Sequence, residues 1–273
     1  MSAAYHELLD ATIQHLENLK SRGVRHIAVT PEALRALALP APRQKPEARN
    51  QKPEAEAPKL QVQNSPTLDK TAAFTALRER ALACVKCPHL ASSRKSVVFG
   101  VGNIDAQLMF VGEAPGADED AQGEPFVGAA GQLLTKIITA TGLSRADVYI
   151  ANILKCRPDT PGQTAGNRKP TPEEMQTCIP YLHEQIDLIQ PKVLVALGGT
   201  AVEGLLSKSG ITKLRGQWQT YRGIPLMPTY HPSYLLRNQS LSEKRRVWED
   251  MLAVMEKLGM PISEKQRNFF LKA

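Results

Sequence analysis

The chain has 273 residues, 42% of them hydrophobic, and a formal charge of +7 from 34 basic and 27 acidic side chains. That apolar share supports a real core and excludes wholesale disorder, and four cysteines in so long a chain exclude a small disulfide scaffold. Aromatics at 5% argue against a module built on base stacking, while the mild basic surplus suits a polyanionic partner.

The amino-terminal stretch MSAAYHELLDATIQHLENLK carries acids where a secretory signal needs bases. No run approaches the roughly 18 apolar residues of a membrane span. A cytoplasmic protein without membrane attachment is expected, its cysteines reduced thiols or metal ligands. Leu8, Leu9, Ile13, Leu16 and Leu19 share a helical face, and Thr30-Pro31-Glu32 reads as a second helix start. Residues 1–38 are therefore predicted as a helical extension. Residues 39–68, with prolines at 40, 42, 46, 53, 58 and 66, form a Pro/Lys-rich flexible linker. The main domain is placed at 69–260 and a tail at 261–273.

Within the domain, Ala73, Phe74, Leu77 and Ala81 make a helical face running into Cys84. Strand-like runs follow at Ser96–Val101 and Ala106–Val111, then a helix over Ala129–Thr141 stopped by Gly142. Val148–Ile153 is a predicted strand. Thr171-Pro172-Glu173-Glu174 is a capping box opening a helix to Gln190, which Pro180 should bend. Lys192–Leu197 is a buried strand, Thr200–Leu206 a helix, Pro225–Thr229 a strand and Ser242–Leu258 an amphipathic helix. This alternation predicts a three-layer α/β/α sandwich on a central, mainly parallel four-stranded sheet, plus the helical amino-terminal extension.

Ligands of open α/β sheets sit beyond the carboxyl ends of the strands, and the unusual residues cluster there. The strand Ala106–Val111 runs into Gly112-Glu113-Ala114-Pro115-Gly116 and then Asp118-Glu119-Asp120. The strand Val148–Ile153 leads to Asn152 and Lys155-Cys156-Arg157-Pro158, and Pro225–Thr229 to Tyr230-His231-Pro232-Ser233-Tyr234-Leu235-Leu236-Arg237. Carboxylates, an amide and an imidazole thus converge on one side of the sheet. Cys84-x-x-Cys87 opens the domain, with Cys156 and Cys178 further on. Spacing alone leaves zinc, a redox pair and an iron–sulfur site open.

The ordered set GEAPG, ED, GEPFVG, NxxKCRP and HPSYLLR resembles the fourth, iron–sulfur family of uracil-DNA glycosylases over about Ala83 to Leu258. The resemblance implies a uracil-DNA glycosylase domain over 69–260, acting in repair of deaminated cytosine by hydrolysing the N-glycosidic bond of uracil to leave an abasic site. It implies a structural [4Fe–4S] cluster held by Cys84, Cys87, Cys156 and Cys178. It also implies an aromatic platform at Phe126. Asn152 suits the Watson–Crick edge of uracil, since an amide both donates and accepts. Backbone amides around Gly112, Glu113 and Ala114 are expected at uracil O2. His231 is expected to donate to O2 as charge develops there.

Where the best-known uracil glycosylase family has an aspartate, this chain has Ala114. The carboxylate that orients water is therefore sought at Glu119 first, Asp120 second and Glu113 third. Pro232, Ser233, Tyr234 and Leu235 are read as an intercalating loop. Arg237 is read as a phosphate contact, with Lys244, Arg245 and Arg246 extending the basic track. The family segment KCRPPxNR is lengthened here by DTPGQTAG before Asn167-Arg168, which puts a role for Asn167 in doubt. The histidine-containing insertion of a sister group that traps its product covalently is missing, so turnover is expected. The expected partner is uracil-containing DNA, single- or double-stranded, with the chain a monomer and its extension open to a protein partner. The rival reading is a non-catalytic or weakly catalytic binder of uracil-containing or single-stranded DNA.

Overall fold

A computed structural model describes residues 70–158 and 168–271, all within one compact unit, Gln63–Ala273. The extension 1–38, the linker 39–68 and Asn167 lie outside the described residues. The predicted α/β architecture is present: a six-stranded sheet with helices on both faces. Its strands are β1 (Val101–Gly102), β2 (Leu108–Gly112), β3 (Tyr149–Asn152), β4 (Val193–Leu197), β5 (Gln219–Tyr221) and β6 (Ile224–Thr229), in the order β1-β3-β2-β4-β6-β5. The four inner strands pair in parallel, and β1 and β5 add short antiparallel edges.

The inner strands read as continuous apolar runs because both of their faces are covered. Alternation then sorts each strand between two cores. Met109, Val111, Tyr149, Ala151, Leu194 and Ala196 face one helical layer. That layer holds α5 (Pro172–Ile189) and α6 (Gly199–Leu206). Leu108, Phe110, Val148, Ile150, Val193, Val195 and Leu197 face the other, with α4 (Ala129–Ala140) and α9 (Leu241–Lys257). A third cluster, around Leu77, Leu90, Phe99 and Leu154, joins α1 (Lys70–Leu82) and α2 (Pro88–Ser93) to the cysteines.

Several expectations shift. The run Ser96–Val101 forms a ladder only at β1. Gly100 and Gly102 have φ of +142° and +125°, and a Cβ at Gly100 would come within 2.6 Å of the Tyr149 hydroxyl. The acidic stretch after GEAPG is a helix, α3 (Ala117–Gln122), with its three acids at the positive helix end. The proposed intercalating loop is a helix too, α8 (Pro232–Arg237), with His231 as N-cap and proline in its first turn. The Thr171 capping box forms as read, and α5 runs through Pro180 without a break. Two short helices, α7 (Ile211–Leu214) and α10 (Glu264–Arg267), complete the described residues. No helix among them is long and apolar enough to cross a membrane.

Candidate active site

The chain passes from β2 outward to β3, then crosses back to β4 on the other side of β2. Loops leaving strands at such a reversal diverge and leave a crevice. Here it is a cavity of about 500 Å³, lined from four strand ends by Glu113–Gly116, Asn152, Leu197–Gly199 and His231.

Asn152 closes β3 and is buried, yet its Oδ1 has no hydrogen-bond partner. An orphaned buried acceptor costs about 1–3 kcal/mol, so this amide is poised for something absent from the chain. Beneath it lies Gly112. A Cβ there would stand 2.4 Å from Asn152 Oδ1 and 2.7 Å from Phe126 Cζ. Glycine thus lets the amide and the ring form the walls of one slot.

Phe126 is held against its own preference. Its φ of +57° lies in the left-handed region, which costs a non-glycine residue about 1–3 kcal/mol. Its surroundings over-determine it. Arg145 donates from Nη1 to the Phe126 carbonyl (3.2 Å) and from Nη2 to the Pro125 carbonyl (2.9 Å). Glu119 Oε1 accepts from the backbone N–H of Val127 (3.0 Å) and Gly128 (3.1 Å), and Oε2 from that of Gly116 (3.0 Å). Glu119 therefore ties the GEAPG loop to the GEPFVG loop, with both oxygens engaged.

His231 stands across the cavity, its ring centroid 5.6 Å from that of Phe126. Its Nδ1 accepts from the Ser233 backbone N–H (3.1 Å) and lies 2.8 Å from Ser233 Oγ. An accepting Nδ1 places the proton on Nε2. Burial, with a smaller contribution from Arg237, pushes the imidazole down to about 4. A neutral ring with an Nε2–H donor results. Gly198, at φ +93°, makes room for it, since a Cβ there would lie 2.9 Å from His231 Cβ.

The cavity thus brings together Glu113, Ala114, Glu119, Phe126, Asn152, His231, Ser233 and Arg237. It does not include Asp120, whose buried carboxylate points to the far side of α3 and accepts from the Lys95 and Ser96 N–H groups. Glu113 lines the cavity and makes no hydrogen bond through its carboxylate among the described residues. Pro232 and Leu235 are buried, Leu235 in a cluster with Tyr230 and Val247, and Leu236 is the exposed apolar residue of α8. Arg245 pairs with Glu249 and holds the Arg267 and Phe269 carbonyls, and Arg246 pairs with Glu243. Arg237 and Lys244 have no such partner among the described residues.

Three contributors escaped sequence reasoning. Arg145 shapes the Phe126 turn. Arg168 lines the cavity while binding Glu174 through both Nη atoms (2.9 and 2.5 Å). That pairing foremost, with help from His89 and Thr171, holds the Glu174 carboxyl near 2. Arg215 pairs with Asp250, which accepts from Thr229 Oγ1 at the end of β6 (2.6 Å), two residues before His231. The Gly198-Gly199 pair was the available signal for the crowding at His231. Nothing in the spacing marked the three arginines.

The four cysteines, separated by up to 94 positions in sequence (178 − 84), line one small cavity with Leu90, Arg94 and Leu154. Cys156 and Cys178 are buried and all four are free thiols. Two sulfurs already accept hydrogen bonds, Cys178 from the Lys155 backbone N–H (3.2 Å) and Cys156 from Arg94 Nη1 (3.1 Å). Burial pushes the Cys178 thiol up to about 12 and raises Cys156 and Cys87 as well. Such thiols ionise when a cation replaces the proton. Among the described residues no group of three or more His, Cys, Asp or Glu is placed to hold a single metal ion. A lone zinc would need sulfurs about 3.8 Å apart, following from its bond length of about 2.3 Å. Four cysteines around one cavity, two of them with N–H donors aimed at sulfur, have the donor chemistry of a thiolate-ligated metal group.

Residues 99–252 match the family model of the uracil DNA glycosylase superfamily. The chain is 48% identical over 179 residues to a type-4 uracil-DNA glycosylase of Thermotoga maritima, covering 63% of this chain and 88% of that protein. It is 40% identical over 205 residues to one from Sulfurisphaera tokodaii (71% and 89% covered). It is 39% identical over 198 residues to one from Archaeoglobus fulgidus (69% and 93% covered).

Proposed function

Because this chain belongs to the uracil DNA glycosylase superfamily, within its type-4 branch, we propose that it hydrolyses the N-glycosidic bond of uracil in DNA and leaves an abasic site for repair. The observation that carries this reading is the buried, unpartnered Oδ1 of Asn152 beside the Phe126 ring. A uracil flipped out of its strand would stack on Phe126. Asn152 Oδ1 would accept from N3–H, and its amide N–H would donate to O4. With the amide in that orientation, cytosine reverses the pattern and leaves both groups unpaired, the kind of mismatch that discriminates strongly.

Bond cleavage leaves negative charge on uracil O2 and positive charge on the sugar. The neutral His231 would meet the first with its Nε2–H. Because the ring is already desolvated and oriented by Ser233, little reorganisation is needed as charge develops. The sugar and the attacking water call for a carboxylate with free oxygens. Glu119 already accepts three backbone N–H groups and Asp120 faces elsewhere, so Glu113 is the carboxylate assigned to that role in this reading. Glu119 instead holds the Phe126 turn. Arg237, which lines the cavity, suits a flanking phosphate.

Cys84, Cys87, Cys156 and Cys178 would hold a [4Fe–4S] cluster. Bound there, it supplies cross-linking of the segments before α2, after β3 and within α5, with no part in the chemistry. The expected working form is a monomer of the 69–260 domain carrying its extension, linker and tail.

The test is incubation with an oligonucleotide containing one uracil, followed by alkali. Scission at the uracil position is expected, with none in a cytosine control. Tight binding without scission would favour the non-catalytic reading, whose support is Ala114 in the aspartate place.

A further inference from the structure

A second cleft, of about 550 Å³, opens on the far side of α3 from the uracil cavity. Its walls carry Arg78 from α1, Arg94 and Lys95 from the segment after α2, and Gln122 and Glu124 from the end of α3 and beyond. Three cations thus face one acid. Glu124 also lies within electrostatic reach of Arg145, whose charge it supports.

Two observations support this cleft as a site. Arg78 and Lys95 are exposed, pair with no carboxylate among the described residues, and stand together with Arg94 in one concave wall. The cleft is also built rather than incidental. The buried Asp120 carboxylate grips the backbone N–H groups of Lys95 and Ser96 at 3.0–3.3 Å, and Ser96 Oγ donates to the Asp120 carbonyl. Asp120 neutralises none of the cationic tips, since it is spent on backbone. It fixes the Lys95 wall against the same short helix whose Glu119 forms the uracil slot.

We infer that this cleft binds the phosphodiester backbone of the DNA strand beyond the flipped uridine, through Arg78 and Lys95. Both cavities take lining from α3 or its ends, Gly116 and Glu119 on the uracil side and Gln122 to Glu124 in the cleft, and a helix with its side chains is about 10 Å across. That is about three nucleotides at the roughly 3.4 Å per strand step of duplex DNA. A strand leaving the uracil slot reaches the cleft within that length. Arg94 is anchored on Cys156 and serves mainly to hold the floor positive. The cleft carries no aromatic ring, so it reads charge and not base identity.

This inference rests on the glycosylase reading, and its test separates the two. The double substitution Arg78→Gln/Lys95→Gln is made in the iron-loaded full chain, with Arg78→Lys/Lys95→Arg as the charge-preserving control. KM and kcat are measured on single-stranded uracil oligonucleotides long on both sides, and on two series shortened on one side or the other. The neutral variant is expected to raise KM about tenfold on the long substrate with kcat retained. It should also flatten the slope of log KM against log salt by about 1.4, two phosphates at about 0.7 each. Shortening one particular flank should erase the difference from the unsubstituted chain, and the charge-preserving control should match that chain throughout. An unchanged KM on the long substrate would overturn the inference. So would a KM defect that survives removal of both flanks. Uracil release by the unsubstituted chain shows that the activity itself stands, whichever way the cleft result falls.

Discussion

The uracil cavity and the cysteine cavity share the segment that leaves β3 and treat polar groups in opposite ways. In the first, Asn152 Oδ1 is buried without a partner, the Glu113 carboxylate is unengaged and Phe126 sits in a strained backbone conformation. In the second, the two buried sulfurs already accept N–H donors and the surroundings are apolar. The difference teaches which ligand comes and goes. A site that must release its ligand keeps unsatisfied groups and stores strain, held in place by neighbours such as Arg145 and Glu119. A site for a resident group is finished around it. Loss of ligand should therefore leave the first cavity folded and undo the second.

The largest effect expected on this view is at His231. His231→Ala should lower kcat about 10²–10³-fold, the usual cost of removing one oxyanion donor, with a stability loss limited to the roughly 0.5–2 kcal/mol of a lost N-cap. A variant within a few-fold of the parent would remove the imidazole from the chemistry.

The two carboxylates of the uracil cavity sharpen the contrast inside one site. Glu113→Gln should cut kcat by about 10²-fold or more while leaving thermal stability intact. Glu119→Gln keeps one accepting oxygen and loses the charge that gathers three backbone N–H groups. It should destabilise by about 1–3 kcal/mol and impair activity through the Phe126 turn. Thermal melts and single-turnover rates on both variants check this, and the opposite pattern would return the water-orienting role to Glu119.

Removing iron tests the other cavity. The loaded chain should carry about four irons and absorb in the visible. Chelation, or Cys178→Ser, should lower the melting temperature and loosen proteolytic resistance around α2 and α5. The smallest effect expected is on pH. With His231 near 4, the neutral form persists through the physiological range. The imidazole should therefore leave kcat/KM flat from about pH 8 to about pH 5, then lower it as pH falls through about 4. An acid limb centred near 6.5 and abolished by His231→Gln would show that the ring is not desolvated as described.

Much of this was legible in the sequence where one residue type does one job. Apolar runs marked the four parallel strands, the Thr171–Glu174 box marked the start of α5, and the four cysteines and the strand-end loops marked both cavities. What could not be read depends on backbone partners. Glu113, Glu119 and Asp120 look alike as letters, and only the N–H groups around them separate a free carboxylate, a loop staple and a cleft wall. The same holds for Pro232-Ser233-Tyr234-Leu235. As composition it reads as an apolar wedge, but His231 capping and proline at the first turn make it a helix that buries Leu235. The edge strand β5, of three residues, is too short to leave a period-2 signature, and β1 keeps only Val101 of the run Ser96–Val101 read as a strand, so the sheet has six strands and not the four expected.

The central claim is that the unpartnered amide of Asn152 is the uracil reader. It is tested most directly by Asn152→Ala in the iron-loaded chain. Uracil release and affinity for uracil-free DNA of the same length are measured side by side. A fall in kcat/KM of about 10³-fold or more is expected, from both lost base contacts, with unchanged affinity for uracil-free DNA. Release within tenfold of the parent rate would contradict it.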